Sequence, residues 1–246
     1  MQIDILTLFP GIFTSPLQES ILKIALEKGL VTINLVDIRE FCKDKHKTAD
    51  DVPYGGGPGM VMKPEPLTAA IESRIAINAK STLVFLSPQG NLFNQTVARS
   101  FADQESIILV CGRYEEIDER VKQLFPHQEI SIGDYVLTGG EIPALVIIDA
   151  ITRLIPGVVG NPDSVNSDSF SEWSGFDYPH YTRPPIFRDL AVPEVLLSGN
   201  HAKIRQWRKK EALRKTYLFR PDLIDENSLS EEDKRFLAEI KASAEK

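Results

Sequence analysis

The sequence predicts an α/β fold in which a mostly parallel sheet with intervening helices is followed by a small helical region. Three observations lead there. Strand-like and helix-like segments alternate as far as residue 155. The segments 82–86 and 106–111 are apolar throughout, as strands buried on both faces of a parallel sheet are. Composition then changes: 158–177 is rich in Ser, Asp, Asn and Gly, and the chain beyond it is charged and helical in pattern.

Taken in order, Gln2–Phe9 reads as the first strand. Ser15-Pro16 reads as an N-cap with proline at the first helical position, opening a helix that carries Leu17, Ile21, Ile24 and Ala25 and stops at Gly29. Val31–Ile38 is a second strand, and Phe41–Met60 a long loop ending in PYGGGPGM. Pro66–Ala79 has helical spacing, Thr82–Leu86 is a buried strand, and Asn94–Asp103 is helical. Ser106–Cys111 is another buried strand, Glu115–Phe125 reads as helix, and Glu129–Ile132 as a short strand. Glu141–Ile155 is a strongly apolar helix ended by Pro156-Gly157. The chain after Pro185 reads as helical. Asn200 is placed as the N-cap of a basic helix, and Ser230-x-x-Asp233 as a capping box for a last helix bearing Phe236, Leu237 and Ile240. The expected organisation is an α/β domain over 1–160, a flexible linker over 161–177 and a helical domain over 178–246.

Composition bounds the function. With 42% hydrophobic and 26% charged residues in 246, the chain is that of an ordinary globular protein, and no apolar run is long enough for a membrane span. The N-terminus has no basic region ahead of an apolar one, and Cys42 and Cys111 form no C-x-x-C; the expected location is the cytoplasm. Cys111 ends the run IILVC and is expected to pack in the core. Net charge is −7, yet Lys203–Arg220 holds eight basic residues and one acid, so that stretch is +7 and the remainder −14. That local footprint suits phosphates, and Trp207, Tyr217 and Phe219 interleave with it as candidate stacking groups. A solvated basic helix face with its aromatics turned inward explains the same residues equally well.

Two stretches carry the chemistry, LVCGRYEEIDER (109–120) and SIGDYVLTGGEIPA (131–144). Each starts as a short apolar strand and breaks at glycine, where backbone can come close to a ligand. Loops at strand ends of an α/β sheet are where a small molecule binds. Neither loop reads G-x-G-x-x-G, and no G-x-x-x-x-G-K-[ST] occurs, so neither a dinucleotide nor a P-loop cradle is expected. The linker holds four isolated carboxylates, Asp163, Asp168, Glu172 and Asp177, near Arg153, His180 and Arg183. A mobile carboxylate can act as a general base and an arginine can stabilise an anion, but residue type alone does not choose among the four. His46 stands alone, and no paired-histidine spacing marks a metal site.

Nine ordered blocks then converge on one family: LFPGIF (8–13), DDVPYGGGPGMVM (50–62), LSPQG (86–90), LVCGRYEEIDERV (109–121), SIGDYVLTGGEIPA (131–144), RLIPGVVG (153–160), DSF (168–170), PHYTRP (179–184) and LLSGNHAKIRQWR (196–208). Over nearly its whole length the chain resembles the bacterial tRNA (guanine-N1-)-methyltransferases of the SPOUT class. The resemblance implies a trefoil knot in the C-terminal half of the α/β domain, about 84–145, a topology that pattern reading would never propose. It also implies a small all-helical C-terminal domain and an obligate homodimer whose subunits share the donor and guanosine sites.

The implied methyl donor is S-adenosyl-L-methionine. Its contacts would be Leu86, Ser87 and Pro88; Gly112, Tyr114 and Glu115; and Ile132, Gly133, Asp134, Tyr135, Val136, Leu137, Gly139, Gly140 and Pro143. The implied base is Asp168 and the implied cation Arg153. Substrate contacts would come from Asp50, Gly57, Gly59, His180, Arg183, Ser198, Gly199, Asn200, His201, Arg205, Trp207, Arg208 and Lys209. The implied substrate is tRNA with guanosine at position 37, beside the anticodon, and 161–177 would order over it as a lid. A magnesium requirement is associated with the family, though no motif here marks a metal site. The alternatives are a SPOUT methyltransferase acting on another RNA and a non-catalytic RNA-binding protein.

Overall fold

The computed structural model describes residues 1–160, 168–171, 173 and 175–244, with Ala244 described by its backbone alone. The chain divides into two compact units, Met1–Pro162 and Asp163–Lys246.

The first unit is built on a five-stranded parallel sheet. Its strands are β1 (Gln2–Thr7), β2 (Thr32–Asp37), β5 (Thr82–Leu92), β6 (Ser106–Cys111) and β8 (Gln128–Ser131), in the order β2-β1-β6-β5-β8. Ile107, Leu109 and Cys111 of β6 face one way, into a core with helices α1 (Ser20–Glu27), α3 (Gln95–Ala102) and α5 (Glu141–Thr152). Ile108 and Val110 face the other, into a core with α2 (Pro64–Ile75) and α4 (Glu119–Leu124). A strand's side chains alternate between faces, so covering both faces makes every position apolar. A second, small sheet joins β3 (Asp50–Asp51), β4 (Val61–Met62) and β7 (Glu116–Ile117): β3 and β4 run antiparallel, β4 and β7 parallel.

Several boundaries differ from the sequence reading. Ser15 precedes Pro16 at the head of a helix, as read, but that helix is only the separate 3-10 turn Pro16–Gln18, and the Ser15 side chain makes no capping hydrogen bond. The chain extends again at Glu19 before α1 begins at Ser20. The segment 115–125 is not one helix: Glu116 and Ile117 pair with β4, and Asp118 then caps α4 by accepting from the Arg120 N–H. The long loop 41–60 gives up Asp50–Asp51 to the small sheet.

Within the second unit, Asn200 caps α7 (His201–Phe219) through its side chain, which accepts from the Lys203 N–H at 3.1 Å. Ser230 and Asp233 close the predicted box at the head of α8 (Glu231–Ala244), the Asp233 N–H donating to Ser230 Oγ at 3.2 Å. Leu213, Leu237 and Ile240 form the core, with Trp173, Tyr217 and Phe236 packed against it. The unit is not all-helical. Strands β9 (Ile186–Phe187) and β10 (Leu190–Ala191) form a hairpin ahead of the short helix α6 (Glu194–Leu197). Its two linking residues, Arg188 and Asp189, have φ of 48° and 65°, the positive values a tight two-residue hairpin turn needs at both central positions. No Asn-Gly or Asp-Gly marks that turn, so pattern reading extended the helix through it. Among the described residues no helix is long and apolar enough to cross a membrane.

Candidate functional site

A bulge within β5 and two loops that follow the C-terminal ends of β6 and β8 lie side by side. In β5 the pairing with β8 breaks between Leu86 and Asn91, and Ser87–Gly90 swells out as an irregular bulge before the ladder resumes at Asn91. Gly90 permits this because a side chain there would collide with the backbone of Glu129 and Ile130. After β6 the chain turns at Gly112, and Tyr114 takes a φ of 63°. After β8 it turns at Gly133, with φ 143°, and returns across the end of β6. The Gly140 N–H donates to the Gly112 carbonyl at 2.9 Å, and Arg113 and Gly139 form an isolated antiparallel bridge.

These loops enclose one cavity. Of the residues that the resemblance assigns to the donor, the structure brings Leu86, Ser87, Pro88, Gly112, Tyr114, Glu115, Ile132, Gly133, Tyr135, Val136, Leu137, Gly139, Gly140 and Pro143 to its wall. Asp134 is not on the wall. Arg113, Glu116, Ile130, Ser131 and Thr138 are on it as well. Cys111 lies beneath, fully buried; burial and then the Glu141 carboxylate push its thiol well above the ordinary value, against an opposing pull from Arg113. It is a packing residue, as expected.

The 50–62 segment reaches the same loops. Asp50 pairs with Met62, and the Glu115 N–H donates to the Met60 carbonyl at 3.0 Å. Gly59, at φ 78°, is pressed against the Glu115 side chain, whereas Gly57 stands in open space. Arg153 is the C-cap of α5 and half-buried, and it is not on the cavity wall.

In the second unit, Asp168 precedes a tight turn in which its carbonyl accepts from the Ser171 N–H at 3.2 Å and from the Ser171 hydroxyl. Of its three rival carboxylates, Asp163 and Glu172 lie outside the described residues. Asp177 is committed elsewhere, to Lys215 Nζ at 2.9 Å and His180 Nε2 at 3.2 Å. Burial alone would raise its carboxyl; the hydrogen bonds from Lys215 and His180, with the charge of Lys215, outweigh that and hold it below the usual value. Trp173, packed on Gly175 and on the core, and Phe176, whose N–H donates to Thr216 Oγ1 at 2.9 Å, tie the described end of the 161–177 segment to α7.

Around the start of α7 the structure gathers an aromatic and basic cluster. Arg208 lies over the Tyr178 ring at 4.6 Å, Tyr178 meets His180 at 4.6 Å, and Trp207 meets Tyr181 at 6.3 Å. Ser198, Gly199, Asn200, His201 and Arg205 are exposed beside it, as is Arg183. Lys209 is ion-paired with Asp233 at 2.8 Å.

The sequence reading missed one group. Glu141, the first residue of α5, is 1% exposed and accepts from Thr7 Oγ1 at 2.7 Å and from Arg113 Nε at 2.9 Å. A carboxylate directly after a glycine pair and before an apolar helix was a legible oddity; its partner Thr7, on the first strand, carried no signal at all. Among the described residues no group of three or more His, Cys, Asp or Glu is gathered to hold a metal ion.

Known proteins match this chain along most of its length. Residues 1–226 match the family described as tRNA (guanine-1)-methyltransferase TrmD. The chain is similar to the tRNA (guanine-N(1)-)-methyltransferase of Dictyoglomus turgidum, with 55% identity covering 98% of this chain and 97% of that protein. It is likewise 52% identical to the Geobacter metallireducens protein of that name across the full length of both, and 56% identical to the Carboxydothermus hydrogenoformans one over 96% of this chain and 92% of that one. This chain belongs to the tRNA (guanine-1)-methyltransferase TrmD family.

Proposed function

We infer that this protein methylates N1 of guanosine at position 37 of tRNA, beside the anticodon, with S-adenosyl-L-methionine as methyl donor. The observation that carries the reading is the cavity walled by the bulge of β5 and the loops after β6 and β8, in a chain whose relatives are named tRNA (guanine-N(1)-)-methyltransferases. The wall suits the donor. Leu86, Ile132, Leu137 and Pro143 offer apolar surface, the glycine-broken loops offer close backbone, and Glu115 and Glu116 offer negative charge toward a cationic ligand. When bound, S-adenosyl-L-methionine supplies an electrophilic methyl group.

Guanine N1 holds a proton and is a poor nucleophile until it is lost. In this reading the Asp168 carboxylate takes that proton as the N1–methyl bond forms, a step that general-base catalysis accelerates by about 10²–10⁴-fold. The electron pair left on the base spreads to O6, and the Arg153 guanidinium stabilises it there. The products are 1-methylguanosine and the demethylated donor, with the proton on Asp168. The target base leaves its stack to react, and the lid of this reading is the 161–177 segment, of which 161–167, 172 and 174 lie outside the described residues. His180, Arg183 and the Ser198–Lys209 stretch hold the RNA, with Asp50, Gly57 and Gly59 as further contacts.

The knot belongs to the same reading. Its support is the return of the chain after β8 across the end of β6, with Gly140 seated on Gly112. The active form is a homodimer located in the cytoplasm; exposed Ile142 and Val146, spaced to share one face of α5, are surface that a second copy would cover. Methylation with magnesium and after its chelation tests the metal requirement.

The reading is tested with labelled donor and one tRNA transcript carrying guanosine at position 37. Wild-type protein is expected to label that nucleotide. Asp168→Ala is expected to bind the donor by calorimetry and lose turnover; undiminished turnover removes Asp168 from the chemistry. Tight tRNA binding without transfer by the wild type would make this a binding protein, and a label elsewhere would reassign the RNA target.

A further inference from the structure

The contacts around Glu141 run from the first strand to the cavity wall. The Phe9 N–H donates to Thr7 Oγ1 at 2.9 Å, Thr7 Oγ1 donates to Glu141 Oε1 at 2.7 Å, and Arg113 Nε donates to Glu141 Oε2 at 2.9 Å. Arg113 Nη1 goes on to the Thr138 carbonyl at 2.9 Å, and its guanidinium carbon lies 4.5 Å from the centre of the Phe9 ring. Arg113 belongs to the loop after β6; Thr138 and Gly139 belong to the loop after β8. The arginine thus holds both, and the buried carboxylate fixes the arginine.

Stability is a poor reason for this carboxylate. A buried ion pair gains little over apolar groups of the same shape, because desolvation offsets the attraction. The geometry gives a better one. A side chain at Gly139 would overlap Arg113 Nε and stand 2.7 Å from Glu141 Oε2, so the loop crosses directly over the ion pair. The planar guanidinium, with donors aimed at a carboxylate and a carbonyl at once, fixes distance and direction together.

We propose that Glu141, braced by Thr7, is a positioning residue that acts through Arg113 to clasp the loop after β8 onto the loop after β6 and so sets the shape of the donor cavity. The inference rests on the reading of that cavity as the donor site. Glu141 touches no substrate in this account.

The test is a double-mutant cycle of Glu141→Gln and Arg113→Met, read by calorimetry with S-adenosylmethionine and by steady-state kinetics on tRNA. Glu141→Gln is expected to raise the donor Kd and donor KM about tenfold, equivalent to ~1.4 kcal/mol, with the tRNA KM unchanged. In the Arg113→Met background the same change is expected to have no further effect. An unchanged donor Kd in Glu141→Gln overturns the clasp. So does an equal loss in both backgrounds, which would detach Glu141 from Arg113, and so does a matching rise in tRNA KM, which would mark general loss of packing. Should Glu141→Gln fail to fold, Thr7→Val removes the brace together with the acceptor of the Phe9 N–H, and is expected to raise the donor Kd about threefold; no change there overturns the proposal. A wild type that binds no S-adenosylmethionine overturns the donor reading itself and the clasp with it, whereas wild-type binding with an insensitive Glu141→Gln overturns the clasp only.

Discussion

Gly140 has an ordinary backbone, with φ −78° and ψ −6°, so conformational freedom is not why it is glycine. The reason is proximity: a methyl group there would stand 2.7 Å from the Cys111 Cα and 3.0 Å from the Gly112 N. Those atoms are main chain and cannot step aside. Gly140→Ala is therefore expected to push the two loops apart, destabilising the fold by about 1–3 kcal/mol as overpacking does. Donor affinity should fall in parallel. Thermal unfolding and donor calorimetry check both; an alanine variant with native affinity would show that the loops need not touch. The sequence showed that glycines cluster here, but not which atoms forbid a side chain. Cys111 and Gly112 meet Gly140 only through the fold. The same holds for Glu141, whose partner Thr7 stands on the first strand, where local pattern carries no trace of it.

At the scale of elements, patterns that depend on neighbours in the chain were legible and those that depend on pairing were not. The apolar runs of β5 and β6 and the caps Asn200 and Ser230 follow from local chemistry. The extension of β5 past Leu86 does not, because β8 supplies its partners. The bulge of β5 is pinned by one carboxylate. Glu129 of β8 accepts from Gln89 Nε2 at 2.9 Å and from the buried Lys122 of α4 at 3.1 Å. Burial would raise the Glu129 carboxyl, but the hydrogen bonds from Gln89 and Lys122, with the charges of Lys122 and His127, outweigh it and leave it below its usual value. A carboxyl lowered in the folded state stabilises the protein fully above the ordinary glutamate value, about 4.3, and loses that contribution as pH falls through its folded value. Glu129→Gln should therefore be less stable than wild type at pH 6, with the difference closing below pH ~4. Urea midpoints across that range decide it; a constant gap would mean that the charge of Glu129 contributes nothing. The cap of α7 offers a second test. Asn200→Ala is expected to lose about 0.5–2 kcal/mol, the usual worth of an N-cap side chain, with tRNA affinity reduced and donor affinity unchanged.

Across the whole molecule, charge is segregated: +7 within Lys203–Arg220 against −14 elsewhere. The excess was visible in the sequence, but its useful part was not, because ion pairing depends on the fold. Lys209, Lys210, Arg214, Lys215 and Arg220 are paired with Asp233, Glu239, Glu211, Asp177 and Asp222. Lys203, Arg205 and Arg208 make no ion pair with a described residue, and all three lie in the first half of α7, beside the Tyr178–Trp207 aromatic cluster. Phosphate contacts release counterions, so tRNA affinity should fall linearly in log Kd against log salt, by roughly 0.7–0.9 of a slope unit per phosphate held. Lys203→Ala and Arg205→Ala are each expected to reduce that slope by about one. Lys210→Ala is expected to leave it nearly unchanged, because its ammonium is held by Glu239 at 2.7 Å. Binding titrations between about 50 and 200 mM salt separate the two classes. Equal slopes for all three variants would mean that the paired cations reach phosphate as readily as the unpaired ones, and that the footprint is the whole helix rather than its first half.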